Sequence, residues 1–322
     1  MATRVILPGL LEITTTMGDN RLALYLLHDQ LTLLVDSGLS NDPERVIFPA
    51  LLAAGLSDQI DLLLISHADA DHHGGNGAIL TRSPGTKILC HKLDMARVCS
   101  RERHLRERYT AAVAADDTPF APELLDWLEA NIGPDAPVHI GLVGGEEINL
   151  GPGQSWLVIH APGHTDGHLA LWNERAQLLI IQDALFGVGV PTASGELASP
   201  PPYFAVDTYL STITKLRALG ATQILTAHYP PIEGQEEVER FFVRSEQFVH
   251  ALDALVLEVV RRRERAWTLS EICAAVDQQL GPFAVAVQWV PPVRAHLERH
   301  VAQGKLREVR AHGAPRAWIA VG

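Results

Sequence analysis

Apolar positions in the first third of the chain fall in short runs rather than in one helical stripe. "RLALYLLHD" and "LTLLVDSG" are two such runs, joined through Asp29 and Gln30, and they predict a hairpin. Asp42 and Pro43 open a helical signal in which Val46, Ile47, Ala50, Leu51 and Ala54 recur at helical spacing until Gly55 closes it. "LLLI" (Leu62 to Ile65) then reads as a short buried strand. A charged helix is expected from Lys92 to about Ala115, and another from Pro122 to Asn131. Next come "EEINL", "SWLVIHA", "LALWN" and "QLLIIQD", four strand-like pieces separated by Gly, Pro and Asn. Two sheet-forming halves with helices outside them predict an α/β fold arranged as an αββα sandwich. Ala184 to Val206 is rich in Gly, Pro and Ser and predicts a long loop.

The pattern changes after Gln235. One amphipathic helix is expected to about Arg263, and "TLSE" (Thr268 to Glu271) is a capping box that opens another. "VPPVRAHLERHVAQG" carries Val293, Leu297 and Val301 on one face before Gly304 stops it, and "KLREVRA" and "RAWIAV" flank "HGAP" as a hairpin. Helices followed by a hairpin in so short a span form a winged-helix pattern. The expected division is residues 1–235, a connecting helix over 236–264 and a winged-helix-like domain over 265–322.

Composition narrows the classes. At 322 residues and 47% hydrophobic content the chain has ample material for a packed core. No stretch approaches the roughly 18 uncharged apolar residues of a membrane span, and the N-terminus lacks an apolar leader, so a cytoplasmic protein is expected. Cys90, Cys99 and Cys273 form no CxxC pair, which argues against a disulfide framework or a thiolate metal site. A net charge of −12 disfavours non-specific attraction to nucleic acid.

The chemistry concentrates at "SHADADHHG", residues 66–74, where three histidines and two aspartates fall within seven residues directly after an apolar run. Other ligand-type residues stand at the ends of apolar runs in the same way: His164 in "APGHTDGH", Asp183 ending "LLIIQD" and His228 ending "QILTAH". Imidazoles and carboxylates arriving from the ends of separate strands suit a pre-formed metal centre, because a sheet rim holds them rigidly. Adjacent Asp71 and His72 should point in different directions from the turn that carries His67, so one ion could hardly collect the cluster and two metals are expected.

This ordered set resembles the metallo-β-lactamase superfamily, including its glyoxalase II-like members, whose signature is HxHxDH followed by a lone His, a bridging Asp and a last His. The likeness spans about residues 1–235, and the tail is similar to the β-lactamase-like branch with a C-terminal winged helix. By that resemblance His67, Asp69 and His164 hold a first divalent ion, Asp71, His72 and His228 hold a second, and Asp183 bridges. Zinc is the metal the resemblance implies. Asp69 stands where the signature has its second His, and either ligates or hydrogen-bonds beside the site. As a ligand it gives three carboxylates which, with a bridging hydroxide, cancel the four positive charges of two divalent ions. Such an oxygen-richer centre also admits iron or manganese.

The activity implied is hydrolysis of an ester, thioester or lactone, with metal-bound hydroxide as nucleophile and Asp71 orienting it. Two alternatives remain at this point: a phosphodiesterase or ribonuclease of the same fold, and a metal-sensing regulatory protein. The substrate expected is a small molecule, and a phosphate-bearing one such as an acyl-CoA would suit Arg97, Arg101, His104 and Arg108, which share a face of the helix after Lys92. That face reads equally as solvated and salt-bridged. His73 and His168 are expected to support the site rather than ligate. Tyr229 is placed either to donate to an oxyanion or to pack on Pro230, and Phe186, Tyr203 and Phe204 to line the cleft. With only Arg294 and Arg299 on the expected recognition helix, the tail suits protein contact or a homodimer better than DNA.

Overall fold

The computed structural model describes residues 2–110, 122–310, 312 and 314–321. Among them, strands Ala2–Leu7 (β1), Leu10–Met17 (β2), Asn20–His28 (β3), Thr32–Val35 (β4), Leu62–Leu64 (β5), Lys87–His91 (β6) and Ile140–Leu142 (β7) build one sheet in sequence order. The first four pair antiparallel and β4 to β7 pair parallel. The second sheet holds Glu147–Gly151 (β8), Gln154–His160 (β9), Leu169–Asn173 (β10) and Leu178–Ile180 (β11). After the small pair Val190–Pro191 (β12) and Leu197–Ser199 (β13), Gln223–Leu225 (β14) and Ile232–Glu233 (β15) complete it in the order β15-β14-β11-β10-β9-β8.

Side-chain alternation explains why the strands are apolar on both faces. Along β3, Ala23, Tyr25 and Leu27 join Leu169, Leu171 and Trp156 in the core between the sheets, while Leu22, Leu24 and Leu26 pack outward with Val46, Phe48 and Leu51. On the second sheet Ala170 and Trp172 face outward to a helical layer. The result is the αββα sandwich that the pattern predicts. The Asp42 signal becomes a π turn over Pro43–Ile47 that runs into helix Phe48–Ala53, and Gly55 ends it at φ +75°.

The charged helix after Lys92 is not continuous. Ser100 adopts an extended conformation (φ −135°, ψ 113°), so the segment forms Met95–Cys99, Arg101–His104 and a π-helical turn over Leu105–Thr110. Its expected end, through Ala115, lies outside the described residues.

C-terminal to the sandwich, Gln235–Arg261 is a single 27-residue helix. Trp267–Thr268 (β16) leads into helix Leu269–Leu280, which opens with the capping box of Thr268 and Glu271. Helix Val290–Ala302 and strands Leu306–Val309 (β17) and Ala317–Ala320 (β18) follow, and β16-β18-β17 form a small sheet. Trp289, Val293, Leu297 and Trp318 share one buried cluster with Leu252, Val256, Val259 and Val260 of the long helix and with Tyr203 and Tyr209. Among the described residues no helix is long and apolar enough to cross a membrane.

Candidate metal centre

Strand ends deliver the site. β5 ends at Leu64 just before His67, β9 at His160 before His164, β11 at Ile180 before Asp183, and β14 at Leu225 before His228. Asp69 is extended (φ −112°, ψ 151°), and Ala70–His73 then makes one helical turn. Successive residues in a helix diverge by about 100°, which separates Asp71 from His72. Gly74 follows because a Cβ there would lie 2.7 Å from the Asn131 carbonyl, where helix Pro122–Asn131 packs against the turn.

Three overlapping groups result, with ligand atoms in each within 4.8 Å of one another: His67, Asp69 and His164; His67, His72 and Asp183; Asp71, His72 and His228. Asp69 Oδ2 lies 3.0 Å from His164 Nε2 and 3.6 Å from His67 Nε2. His72 Nε2 lies 3.4 Å from Asp71 Oδ2 and 3.3 Å from Asp183 Oδ2. Asp183 Oδ2 is also 3.2 Å from His228 Nε2 and 3.9 Å from His67 Nε2, so a single oxygen stands near three imidazoles. Ligands about 2.0–2.2 Å from a tetrahedral ion sit roughly 3.3–3.6 Å apart, and most of these separations fall near that range.

The donor set is also turned inward. His67 Nε2, His72 Nε2 and Asp183 Oδ1 are buried with no hydrogen-bond partner among the described residues. Leaving a buried polar group unpaired costs about 1–3 kcal/mol, and both imidazole nitrogens lie within 3.9 Å of Asp183 Oδ2. Each imidazole is fixed through its other nitrogen. His72 Nδ1 donates to Asp36 (2.7 Å), His164 Nδ1 to the Pro202 carbonyl (2.5 Å) and His228 Nδ1 to the Arg21 carbonyl (2.7 Å). Ser66 Oγ donates to Asp36 and so accepts from His67 Nδ1 at 3.0 Å. Carbonyl and carboxylate partners require a proton on Nδ1, which leaves each Nε2 lone pair facing inward. This donor set fits metal binding.

Asp36 escaped the sequence reading. It ends the run "LLVD" as Asp183 ends "LLIIQD", and that shared placement is the signal that would have found it. Fully buried, it accepts from the Ser66 amide and hydroxyl, His72 and Gln182 Nε2.

Burial raises the Asp69 carboxyl's pKa, but Arg108 and His164 outweigh it and hold the group well below the usual carboxylate range. Burial likewise opposes ionisation of Asp183, and the His228 and His72 imidazoles beside it hold its pKa well below the ordinary value. For His72 burial lowers the pKa while Asp71, Asp36 and Asp183 raise it well above the ordinary imidazole value.

The residues of the basic face are engaged within the chain. Arg97 pairs with Asp94 at 3.3 Å, Arg101 with the Glu129 carbonyl at 2.5 Å, and Arg108 with Asp69 at 2.6 Å, while His104 is buried against His73. The expectation of a phosphate-bearing substrate such as an acyl-CoA thereby loses the residues that motivated it. Tyr229 is also committed elsewhere: its hydroxyl lies on the carbonyls of Phe186 (2.9 Å) and Gly189 (2.6 Å). His168 stacks on His67, 4.7 Å between ring centroids, rather than joining any of the three groups. Of the loop aromatics Phe186 lines the cleft over the centre, Tyr203 is fully buried, and Phe204 carries the Arg108 guanidinium in an adjoining cavity that also includes Asp69 and His164.

The cleft above the centre has a volume of about 310 Å³, and its walls include Met17, Leu124, Trp127, Phe186, Val190 and Val285. Gln288 from the C-terminal segment closes one side.

The sequence profile of the Metallo-beta-lactamase superfamily matches residues 18–228, which contain all seven residues of these groups. The chain belongs to that superfamily. It is 26% identical over 216 residues to the "Probable metallo-hydrolase YflN" of Bacillus subtilis (strain 168), covering 63% of this chain and 76% of that protein. A hydroxyacylglutathione hydrolase of Aeromonas hydrophila is 30% identical over 162 residues, 50% of this chain and 45% of the relative, so the match spans under half of that enzyme. Among solved structures, a metallo-β-lactamase family protein of Thermus thermophilus superposes with a TM-score of 0.75 at 23% identity, covering 98% of this chain and 100% of that one. Family and hydrolase relatives together make the chain a metal-dependent hydrolase.

Proposed function

We propose that the chain is a dinuclear metallohydrolase that cleaves an ester, thioester or lactone bearing an apolar acyl group. The observation that carries this reading is a row of three overlapping groups of ligand atoms, with Asp183 Oδ2 within 3.9 Å of His67, His72 and His228, at the floor of an apolar-walled cleft. His67, Asp69 and His164 hold one divalent ion, Asp71, His72 and His228 hold the other, and zinc is the ion that imidazole-rich sets favour. Such ions polarise a substrate oxygen and make water nucleophilic near neutral pH.

The protein supplies the rest. Burial raises the Asp71 carboxyl's pKa, but His72 and His228 outweigh it, so Asp71 stays ionised and accepts a hydrogen bond from the attacking water. Trp127, Leu124 and Met17 seat the acyl group and keep bulk water from the reacting carbonyl. The name hydroxyacylglutathione hydrolase, borne by a similar protein, describes the same reaction class. We read residues 265–322 as a winged-helix-like unit that roofs the cleft. Arg299, one of two arginines on its second helix, is spent on Asp253 and Asp207, which argues against nucleic acid.

The test is metal analysis of protein purified without added metal, followed by a panel of thioester, lactone and phosphodiester substrates with acyl chains of graded length. Two ions per chain, and turnover of acyl substrates rising with chain length, are expected. One ion at full activity overturns the dinuclear reading, and faster phosphodiester turnover overturns the substrate class.

A further inference from the structure

Asp69 brings a full negative charge to a position where a neutral imidazole would bring none, and Arg108 is built onto it. Arg108 Nε donates to Asp69 Oδ1 at 2.6 Å and Nη2 to Oδ2 at 2.9 Å, a bidentate fork. The guanidinium lies over the Phe204 ring at 4.3 Å, and Nη1 reaches the His164 carbonyl at 3.4 Å. Its side chain is 8% exposed, so the charge is held largely out of water.

Only Oδ2 of Asp69 faces His164 and His67. The fork thus does two things at once: it presents one oxygen in a fixed direction, as an imidazole presents one nitrogen, and it cancels that oxygen's formal charge. Counting carboxylates alone gives three against four positive charges; counting Arg108 leaves two net, the same as a centre with histidine at this position. We propose that Arg108 is a positioning and charge-compensating residue, and that the Asp69–Arg108 pair together replaces one neutral histidine ligand. The inference rests on reading Asp69 as a ligand.

A reciprocal consequence follows. Arg108 cannot shed its proton, so Asp69→His alone leaves a buried cation facing the first ion with nothing to neutralise it. Restoring the common signature is therefore harmful unless Arg108 is removed as well. Arg108→Leu alone leaves Asp69 with its full charge and free to turn, which favours oxygen-preferring ions over zinc.

The experiment is metal content and zinc-versus-manganese competition by mass spectrometry on the full chain and on five variants, with circular dichroism as the folding control. Asp69→Ala should lose one ion; retention of two sinks the ligand reading itself. Asp69→His should weaken the first ion about 10–100-fold, the range seen when a ligand's immediate support is lost, and Asp69→His with Arg108→Leu should recover two zinc ions. Arg108→Leu should shift competition toward manganese by about tenfold, on the same scale, and Arg108→Lys should keep the zinc preference because it keeps the charge. The pairing is overturned, with the ligand reading intact, if the double variant binds no better than Asp69→His or if Arg108→Leu leaves the competition unchanged. Should Arg108→Leu fail to fold, the comparison of Asp69→His with the double variant decides.

Discussion

His104 holds no place among the ligands, yet its protonation bears on stability. It is buried with its ring against His73, Nδ1 to Nε2 at 3.3 Å, and burial together with that neighbour holds its pKa well below the ordinary imidazole value. In the unfolded chain it titrates near 6.5, so below that pH the unfolded state binds the extra proton and the folded state does not. The stabilising contribution is complete above about pH 6.5 and is lost as pH falls, at up to about 1.4 kcal/mol per pH unit. Urea unfolding of chelator-treated protein at a series of pH values between 7.5 and 5 should show this slope, and His104→Gln should flatten it by that amount; an equal slope in the variant refutes the assignment. At this scale the sequence picks out seven polar side chains near the ends of apolar runs, which the fold brings within reach of one another. It does not name Asp36 or the Pro202 and Arg21 carbonyls, since the acceptors that set imidazole tautomers are chosen by three-dimensional approach rather than by residue type.

Between elements, the centre is tied to the C-terminal segment by hydrogen bonds on either side of the Pro202–Tyr203 peptide link. Asp253 on the long helix accepts from His296 Nδ1 at 2.9 Å, His296 Nε2 accepts from the Tyr203 hydroxyl at 2.8 Å, and the neighbouring Pro202 carbonyl orients His164. His164, Tyr203 and His296 are buried, while Pro202 and Asp253 at the two joints are half-buried. His296→Leu should unpair the Tyr203 hydroxyl, loosen the Pro202–Tyr203 backbone that holds His164, and weaken the first ion about 10–100-fold while sparing the second, as read by stepwise metal titration; equal loss of both ions, or of neither, removes the relay. Strands and caps are the elements the sequence predicts best: the two apolar faces of β3 and the Thr268 capping box are local patterns that the fold keeps. The helix after Lys92 is where local reasoning fails. Its charges suit a long solvated helix, but Ser100 breaks it so that the later piece can turn Arg108 and His104 inward onto Asp69 and His73. The partner of Arg108 is a carboxylate 39 residues earlier in the chain, and periodicity carries no trace of it.

For the whole molecule, the pattern of residues separates the tail from the sandwich more sharply than the packing does. Helices Leu269–Leu280 and Val290–Ala302 cover the side of Gln235–Arg261 that carries Leu252, Val256, Val259 and Val260, and Trp289 and Trp318 complete that cluster fully buried. Burying one such aliphatic side chain contributes about 1.5–3 kcal/mol, so exposing these four alone costs about 6–12 kcal/mol. A whole domain's margin is about 5–15 kcal/mol. The tail also supplies Val285 and Gln288 to the cleft and His296 to the relay. Truncation after residue 264 should therefore give insoluble protein or a broad, uncooperative thermal transition, with the first ion lost even from any soluble fraction. Replacing Leu252, Val256 and Val259 with polar residues in the truncated chain should recover solubility without recovering that ion, because polar replacements remove the exposed patch but not the need for His296. A truncated protein that is soluble, melts cooperatively and holds two ions would mean that the cluster divides at residue 264 and that the sandwich orients His164 unaided.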